Sequence, residues 1–421
     1  MSEEELSTKE KIIQATFSLL KTRLFSTISL SKIAREVNIS KTAIYRHFEN
    51  KDALEVALKN KIYEDMLQLL KKVDALYEAK NYDGCILIVL RFIRDYPEYL
   101  NYGFFSAPEV GEDKELYQFS DAGIKIFSCF FDENHKIKDF DFYLKGLFVI
   151  VSMIDLMLGW FGACDCCPES KKITLSYEDY EGRILSVIKN GLSFEKSVLN
   201  PSDFARLDTL CLESMKKLPP LDKKLVALGN VVLKVGFQNV TVEAIADELG
   251  MVKSSLYTWF SDKKEMIKSL VSPEINMMLS SVVENVNAVS TPAEKLYVIL
   301  KTETLYFITR KKMLSACKWI QISGNYGHED YDNLVDKELS ERMKENVGKV
   351  IAENCNTDFS GIDLDLIMGW IFSIPVFLVV NAIHHQFTEE EMSRALKALY
   401  IMTAGGLIAG RELNKKGASF K

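Results

Sequence analysis

Apolar residues recur at three- and four-residue spacing along much of the 421-residue chain, as in Ile12, Ile13, Thr16, Phe17 and Leu20, and again in Leu54, Ala57, Leu58 and Ile62. This is the period of a helix that buries one face, and strand-like alternation is scarce. The pattern predicts an all-α protein. Two stretches are instead apolar on every side: residues 146–163, GLFVIVSMIDLMLGWFGA, and residues 366–383, LIMGWIFSIPVFLVVNAI. Each is near the length that crosses a bilayer. Asp155 sits inside the first, Pro375 and Asn381 inside the second, and no cluster of Lys and Arg on one flank sets an orientation. A helix buried between partners has the same apolar look, so a bundle interface is expected and a membrane is not.

The two stretches also occupy matching places in a repeat. Shifting residues 11–54 by 212 brings Phe25 onto Phe237, Ile33-Ala34 onto Ile245-Ala246, Glu36 onto Glu248, Lys41 onto Lys253, Tyr45 onto Tyr257 and Phe48 onto Phe260. Far downstream, DLMLGW (155–160) meets DLIMGW (365–370) at a shift of 210. A period of about 200 residues is too long for a solenoid and marks two fused domain-sized copies. The join carries NPS (200–202), a helix start, and LPP (218–220), a stop. Phe204, Leu207, Leu210 and Cys211 between them predict an amphipathic connecting helix. The expected segments are 1–60, 61–200, a connector at 201–220, 221–271 and 272–421.

Within the first copy, Ser29 can cap a helix over Leu30–Val37, and Asn38 can supply the left-handed residue that ends it. Ser40 caps a second helix, Lys41–Phe48, and Asn50 caps a third that begins at Lys51. Ile33, Ala34, Val37, Ile44 and Phe48 form the small core expected at the crossing of the first two. A short helix, a tight turn and a second short helix make the helix-turn-helix, whose second helix enters the major groove of double-stranded DNA.

LSKIAREVNISKTAIYRHFENKDAL resembles the N-terminal DNA-binding domain of TetR-type bacterial transcriptional regulators, and VEAIADELGMVKSSLYTWFSDKKEM matches the same pattern. The resemblance implies that Ser40, Lys41, Thr42 and Ala43 face base edges. It also places Tyr45, Arg46 and His47 along the DNA, with Phe48 turned inward, Ser29 at the preceding helix start and Lys51 on a phosphate. In the second copy the same places hold Thr241, Lys253, Ser254, Ser255, Tyr257 and Lys263. Beyond each DNA-binding domain the resemblance implies a larger helical domain that binds a small-molecule effector and dimerises through a four-helix bundle, with 146–163 and 366–383 at that seam. The tandem arrangement departs from the family, whose members pair as identical chains. With both partners in one chain, an intramolecular pseudo-dimer is expected to set two reading units about one DNA turn, ~34–36 Å, apart. Because Arg46-His47 matches Thr258-Trp259, a non-palindromic operator follows. The implied role is a ligand-responsive repressor. A homodimer using only the first units, and a sensing protein that has lost DNA binding, are the alternatives.

Charge separates the two copies. The chain as a whole carries −7, with 48% hydrophobic and 26% charged residues, so a DNA-binding face has to be local. Residues 21–51 hold seven basic groups against Glu36 and Glu49, a net of +5, whereas residues 233–263 hold three against four acids, a net of −1. Phosphate contacts carry much of the affinity, so the first unit is expected to bind more tightly. Val252 also stands where Ser40 caps the first recognition helix. The retained Lys253, Ser254, Tyr257 and Lys263 favour a weaker reader over a structural relic.

The remaining chemistry is sparse. Phe104, Trp160, Trp319 and Trp370 are candidate effector contacts, although aromatic residues on apolar segments more often belong to the core. CDCCPE (164–169) brings three thiols together with no fourth ligand in reach, and reads as a loop rather than a metal or redox centre. No nucleophile-and-base motif or glycine-rich phosphate loop occurs, so neither an enzyme nor a cofactor is expected. Eight cysteines without a dense framework, and an acidic start, MSEEELSTKE, lead to a cytoplasmic expectation.

Overall fold

The computed structural model describes residues 6–21, 23, 25–102, 139–165, 173–194, 199–235, 240–252, 254–255, 258, 260–261, 263–314 and 335–415. Its regular elements are helices, and the described residues add one isolated antiparallel bridge, Ile173 to Ile362. The chain divides into two compact units, residues 1–135 and 136–421.

The N-terminal unit contains α1 (Thr8–Leu20), a 3-10 turn (Phe25–Thr27), α2 (Leu30–Glu36), α3 (Lys41–Tyr45), α4 (Lys51–Glu78), α5 (Tyr82–Asp95) and α6 (Pro97–Asn101). A capping box between Ser7 and Glu10 starts α1. Ile12, Leu20, Ile28, Ile33, Ile44, Leu54 and Leu58 are fully buried in one core that α1 to α4 share. Its α4 is long enough to serve twice: Leu54, Leu58 and Ile62 close that core, and Leu69 and Leu70 are buried farther along. After α6, the buried Tyr102 enters the same core, edge-on to Phe25, and its hydroxyl donates to Glu55.

The C-terminal unit contains α7 (Phe140–Asp165), α8 (Tyr177–Asn190), α9 (Pro201–Lys216), α10 (Lys223–Val235), α11 (Val242–Glu248), α12 (Lys263–Asn287), α13 (Pro292–Thr309), α14 (Lys337–Met343), a π turn (Lys344–Gly348), α15 (Lys349–Asn354), α16 (Leu364–His384) and α17 (Glu389–Lys415). The division between units therefore falls inside the stretch 61–200 that the sequence groups together. The cause is packing across the repeat: α7 lies against α16 and α17, and α8 against α17.

This four-helix layer accounts for the two wholly apolar stretches. Both α7 and α16 are long and apolar enough to cross a membrane, and they pack on one another. Trp370 is completely buried at this contact, and its indole N–H donates to Ser152 Oγ at 3.1 Å. The polar residues inside the stretches find partners in the layer. Tyr143 donates its hydroxyl to Asn381, and Asp155 is hydrogen-bonded to Ser373. The matching tryptophan, Trp160, makes a different contact, 4.9 Å from the Tyr180 ring and edge-on to Tyr177.

Where α8 ends, the backbones themselves meet. Gly191 (φ 57°) and Gly406 (φ 67°) both adopt left-handed geometry, and α17 kinks at the second. A Cβ on Gly191 would stand 2.5 Å from the Thr403 carbonyl oxygen, and one on Gly406 would run into the Lys189 carbonyl. This closeness lets the Leu192 N–H donate to Thr403 O at 2.8 Å and ties the last helices of the two repeats together.

Burial in the layer pushes the Asp155 carboxyl up to about 7. The folded chain thus keeps a proton that the unfolded chain releases near pH 4. Stability is expected to decline as pH rises from about 4 to about 7 and to level off above. Asp155→Asn removes that slope and stabilises the full chain by about 1–3 kcal/mol at pH 8, with little effect at pH 4. Urea unfolding at the two pH values checks this, and an equal effect at both would contradict it.

The connector is a packed helix. Asn200 and Asp203 form a capping box with Pro201 at the first position of α9. Phe204, Leu207, Cys211 and Met215 are buried, with the Phe204 ring 4.8 Å from Tyr297. Asn285 of α12 donates to Ser214 at 2.9 Å and to Thr302 of α13 at 2.8 Å, joining three helices through one buried amide. The expected connector at 201–220 is therefore an integral layer of the second repeat.

Candidate nucleic-acid interface

Each turn of the first helix-turn-helix is fixed by a local side-chain cap. Ser29 Oγ accepts from the Lys32 N–H at 3.2 Å, Ser40 Oγ from Ala43 at 3.1 Å, and Asn50 Oδ1 from Ala53 at 2.8 Å. Asn38 has φ 57°, the left-handed turn between α2 and α3. Regular helix in α3 ends at Tyr45, three residues short of the expected Phe48, although the Phe48 N–H still reaches the Ile44 carbonyl at 3.0 Å. The shortening follows from Asn50, whose extended backbone (φ −152°, ψ −175°) begins α4 only five residues later.

Ile44 and Phe48 point inward, fully and almost fully buried. Lys41, Thr42, Tyr45, Arg46 and His47 are exposed, with Ala43 half-buried beside them. Tyr45 is 47% exposed, and Lys41 Nζ lies 5.9 Å from its ring centroid. The geometry thus offers two cations, a phenol and a hydroxyl on one solvent-facing turn, the donor set that phosphates and base edges take. Lys21, Arg23 and Arg35 are also exposed in this domain.

Lys51, for which the resemblance implies a phosphate contact, has a partner within the domain. Its ammonium donates to the Phe25 carbonyl at 2.7 Å and sits 4.6 Å from the Phe25 ring centroid. Burial there holds its pKa below the ordinary lysine value. In this structure Lys51 fastens the 3-10 turn to the start of α4, and a phosphate would have to share or displace that bond.

The second copy repeats the frame. Thr241 Oγ1 accepts from Ala244 at 3.1 Å, as Ser29 does, and Gly250 (φ 66°) takes the left-handed place of Asn38. Ser254 is exposed and Ser255 half-buried, and the Ser255 N–H reaches the Val252 carbonyl at 2.9 Å. Lys253 and Tyr257, and the side chain of Lys263, lie outside the described residues. One feature that the sequence did not announce weakens the local charge further. Lys234 donates to Glu248 at 2.6 Å, and Asn230 donates to the other oxygen of the same carboxylate at 2.8 Å. These partners hold the Glu248 carboxyl below the ordinary range.

The aromatic candidates for effector contact divide. Trp370 is a core residue with its N–H already used by Ser152, whereas Trp160 is half-buried among tyrosines. Phe104 and Trp319 lie outside the described residues, as do the side chains of Cys164, Cys166 and Cys167.

Residues 12–58 and 230–270 each match the family described as bacterial regulatory proteins, tetR family. No curated protein matches the chain. Among solved structures, the chain is similar to the fatty acid degradation regulator FadR from Bacillus halodurans at 20% identity, over 45% of this chain and 97% of that one, with a TM-score of 0.32. It is also similar to PfmR, a TetR family transcriptional regulator from Thermus thermophilus, at 19% identity, over 44% of this chain and 99% of that one, with a TM-score of 0.33.

Proposed function

We propose that this chain, a TetR-type regulator built of two tandem units, acts as a single-chain pseudo-dimer that represses transcription from a non-palindromic operator in the cytoplasm and answers to a small-molecule effector. The observation that carries the pseudo-dimer is the layer in which α7 and α8 of the first repeat pack on α16 and α17 of the second. Such a layer gives each repeat a partner within the same chain. The first unit supplies most of the grip through Lys41, Arg46 and the neighbouring basic groups, and the second reads its half-site more weakly. An effector that binds one arrangement of the helical domains better than another shifts operator affinity by that difference. No catalytic step is assigned to any residue.

A specific observation favours a second reading, in which two chains pair and only their first units touch DNA. The second copy is net acidic over residues 233–263, and Glu248 engages Lys234, one of its three cations. In-vitro selection of bound sequences from random DNA with the full chain, together with its solution mass, decides between the two. Two unlike half-sites bound by a monomer are the expected result. A palindrome bound by a dimer favours the second reading, and no enrichment by folded protein leaves a sensing protein without DNA binding.

A further inference from the structure

Among the described residues of the second repeat, one carboxyl group is left without a partner by its own fold. Glu303, in the middle of α13, is completely buried, and neither of its carboxyl oxygens has a hydrogen-bond partner. Glu274 on α12 is nearly as deeply buried, but it is matched on every side. Arg310 reaches both of its oxygens at 3.0 and 2.9 Å, and Tyr306 donates to it. Arg310, the C-cap residue just past the end of α13, is therefore already committed to Glu274. A buried acid without such a partner is destabilising to the fold that contains it.

The helix itself does not require an acid there. Asn81 caps α5 and Thr291 caps α13, which sets the two helices in register at a shift of 210. In that register Leu90 matches Leu300, Tyr96 matches Tyr306, and Glu303 falls on Ile93. One repeat therefore places an aliphatic residue where the other keeps an unpaired carboxyl. Ile299 and Leu300 lie one turn before Glu303 on its face, and Tyr306 and Phe307 one turn after. Burial holds the unpaired Glu303 carboxyl well above the ordinary carboxylate range. Among aliphatic and aromatic side chains such a group, giving up its proton as the ligand enters, is the chemistry that selects an ammonium or guanidinium group on an apolar body, by charge pairing and by the ring faces.

We propose that Glu303 anchors an effector site particular to the second repeat, and that the effector it selects is an organic cation. This rests on the reading that the helical domains bind a small molecule, and it names the class of that molecule. The site lies where α13 packs against α9, α12, α16 and α17. It gives the two repeats different sensitivities, because Ile93 offers the first repeat no counter-charge.

The test uses the full chain with phenethylamine and long-chain alkylamines as probes, each beside the alcohol of the same skeleton, and a matched set of carboxylic acids. Melting midpoints and calorimetric titration are read for the native protein and for Glu303→Gln and Glu303→Ile. Amines are expected to raise the midpoint of the native protein and the alcohols and acids to leave it unchanged, with at least tenfold weaker amine binding in both variants. Without any probe, Glu303→Ile is expected to melt above the native protein, which shows that the variant folds and that the carboxyl has no structural partner. Amine binding that survives in Glu303→Gln, or absence of amine binding, overturns the proposal, as does a lower midpoint for Glu303→Ile. If alcohols or acids bind while amines do not, the proposal falls and the effector-responsive reading stands. If no probe of any charge shifts the midpoint or releases DNA, both fall.

Discussion

Replacing Lys41 and Arg46 together by alanine is expected to weaken binding to the selected DNA by about 2–4 kcal/mol, on the order of 100-fold near physiological salt. The slope of log affinity against log salt should also fall by about one to two, as two cations are withdrawn from the DNA surface. The expectation rests on placement: both side chains are exposed on the turn whose inner face, Ile44 and Phe48, closes the domain core. The fold should therefore survive the double change, since neither residue contributes to that core. Fluorescence anisotropy with labelled DNA at several salt concentrations measures both quantities. The corresponding change in the second copy, Lys253→Ala, is expected to cost less than about 1.4 kcal/mol, a factor of ten, because that unit starts from a net acidic surface. An equal loss from the two would remove the assigned asymmetry, and no loss from Lys41 and Arg46 would remove the interface.

The second large effect lies in the four-helix layer. Trp370→Ala is expected to destabilise the chain by about 3–5 kcal/mol, the range for truncating a fully buried aromatic side chain. Trp370 has no exposed surface, meets Phe148 edge-on at 6.2 Å and supplies a hydrogen bond to Ser152. Trp370→Phe keeps most of the volume and forfeits the indole donor, so a smaller loss of about 1–2 kcal/mol is expected. Trp160→Ala should cost less than Trp370→Ala, since Trp160 is half-buried. Chemical unfolding of the full-length variants orders the three. If Trp370→Ala unfolds within about 1 kcal/mol of the native chain, the α7–α16 contact does not govern stability.

Residues close together in the chain explain what the sequence disclosed. Ser29, Ser40 and Asn50 each cap a donor three residues ahead, so their roles follow from spacing alone. The repeat was legible for the same reason, as was the helical nature of 201–216, since NPS and the apolar period are local signals. The contacts that escaped are those between residues distant in sequence. Lys51 finds the Phe25 carbonyl 26 residues away, and Lys234 finds Glu248 fourteen residues away, because tertiary packing brings them together. The apolar stretches announced burial and the resemblance set both at one seam, but the unit boundary that the packing of α7 on α16 and α17 creates emerged only from the structure. Glu303 was unreadable for a related reason: a glutamate in an amphipathic pattern reads as a solvated one until its surroundings are known.

The unequal surroundings of Trp160 and Trp370 have a bearing on how such a chain can change over generations. In a pair of identical polypeptides every inherited substitution arrives in duplicate, and a harmful exchange at the seam is felt on both sides at once. Here one tryptophan leans on tyrosines and its counterpart on a serine from the other repeat. An exchange at Ser152 or at Tyr180 is therefore a single-dose event, and its compensation can arise on one side alone. Covalent linkage lets the two halves drift apart in what they recognise while their stoichiometry stays at one to one.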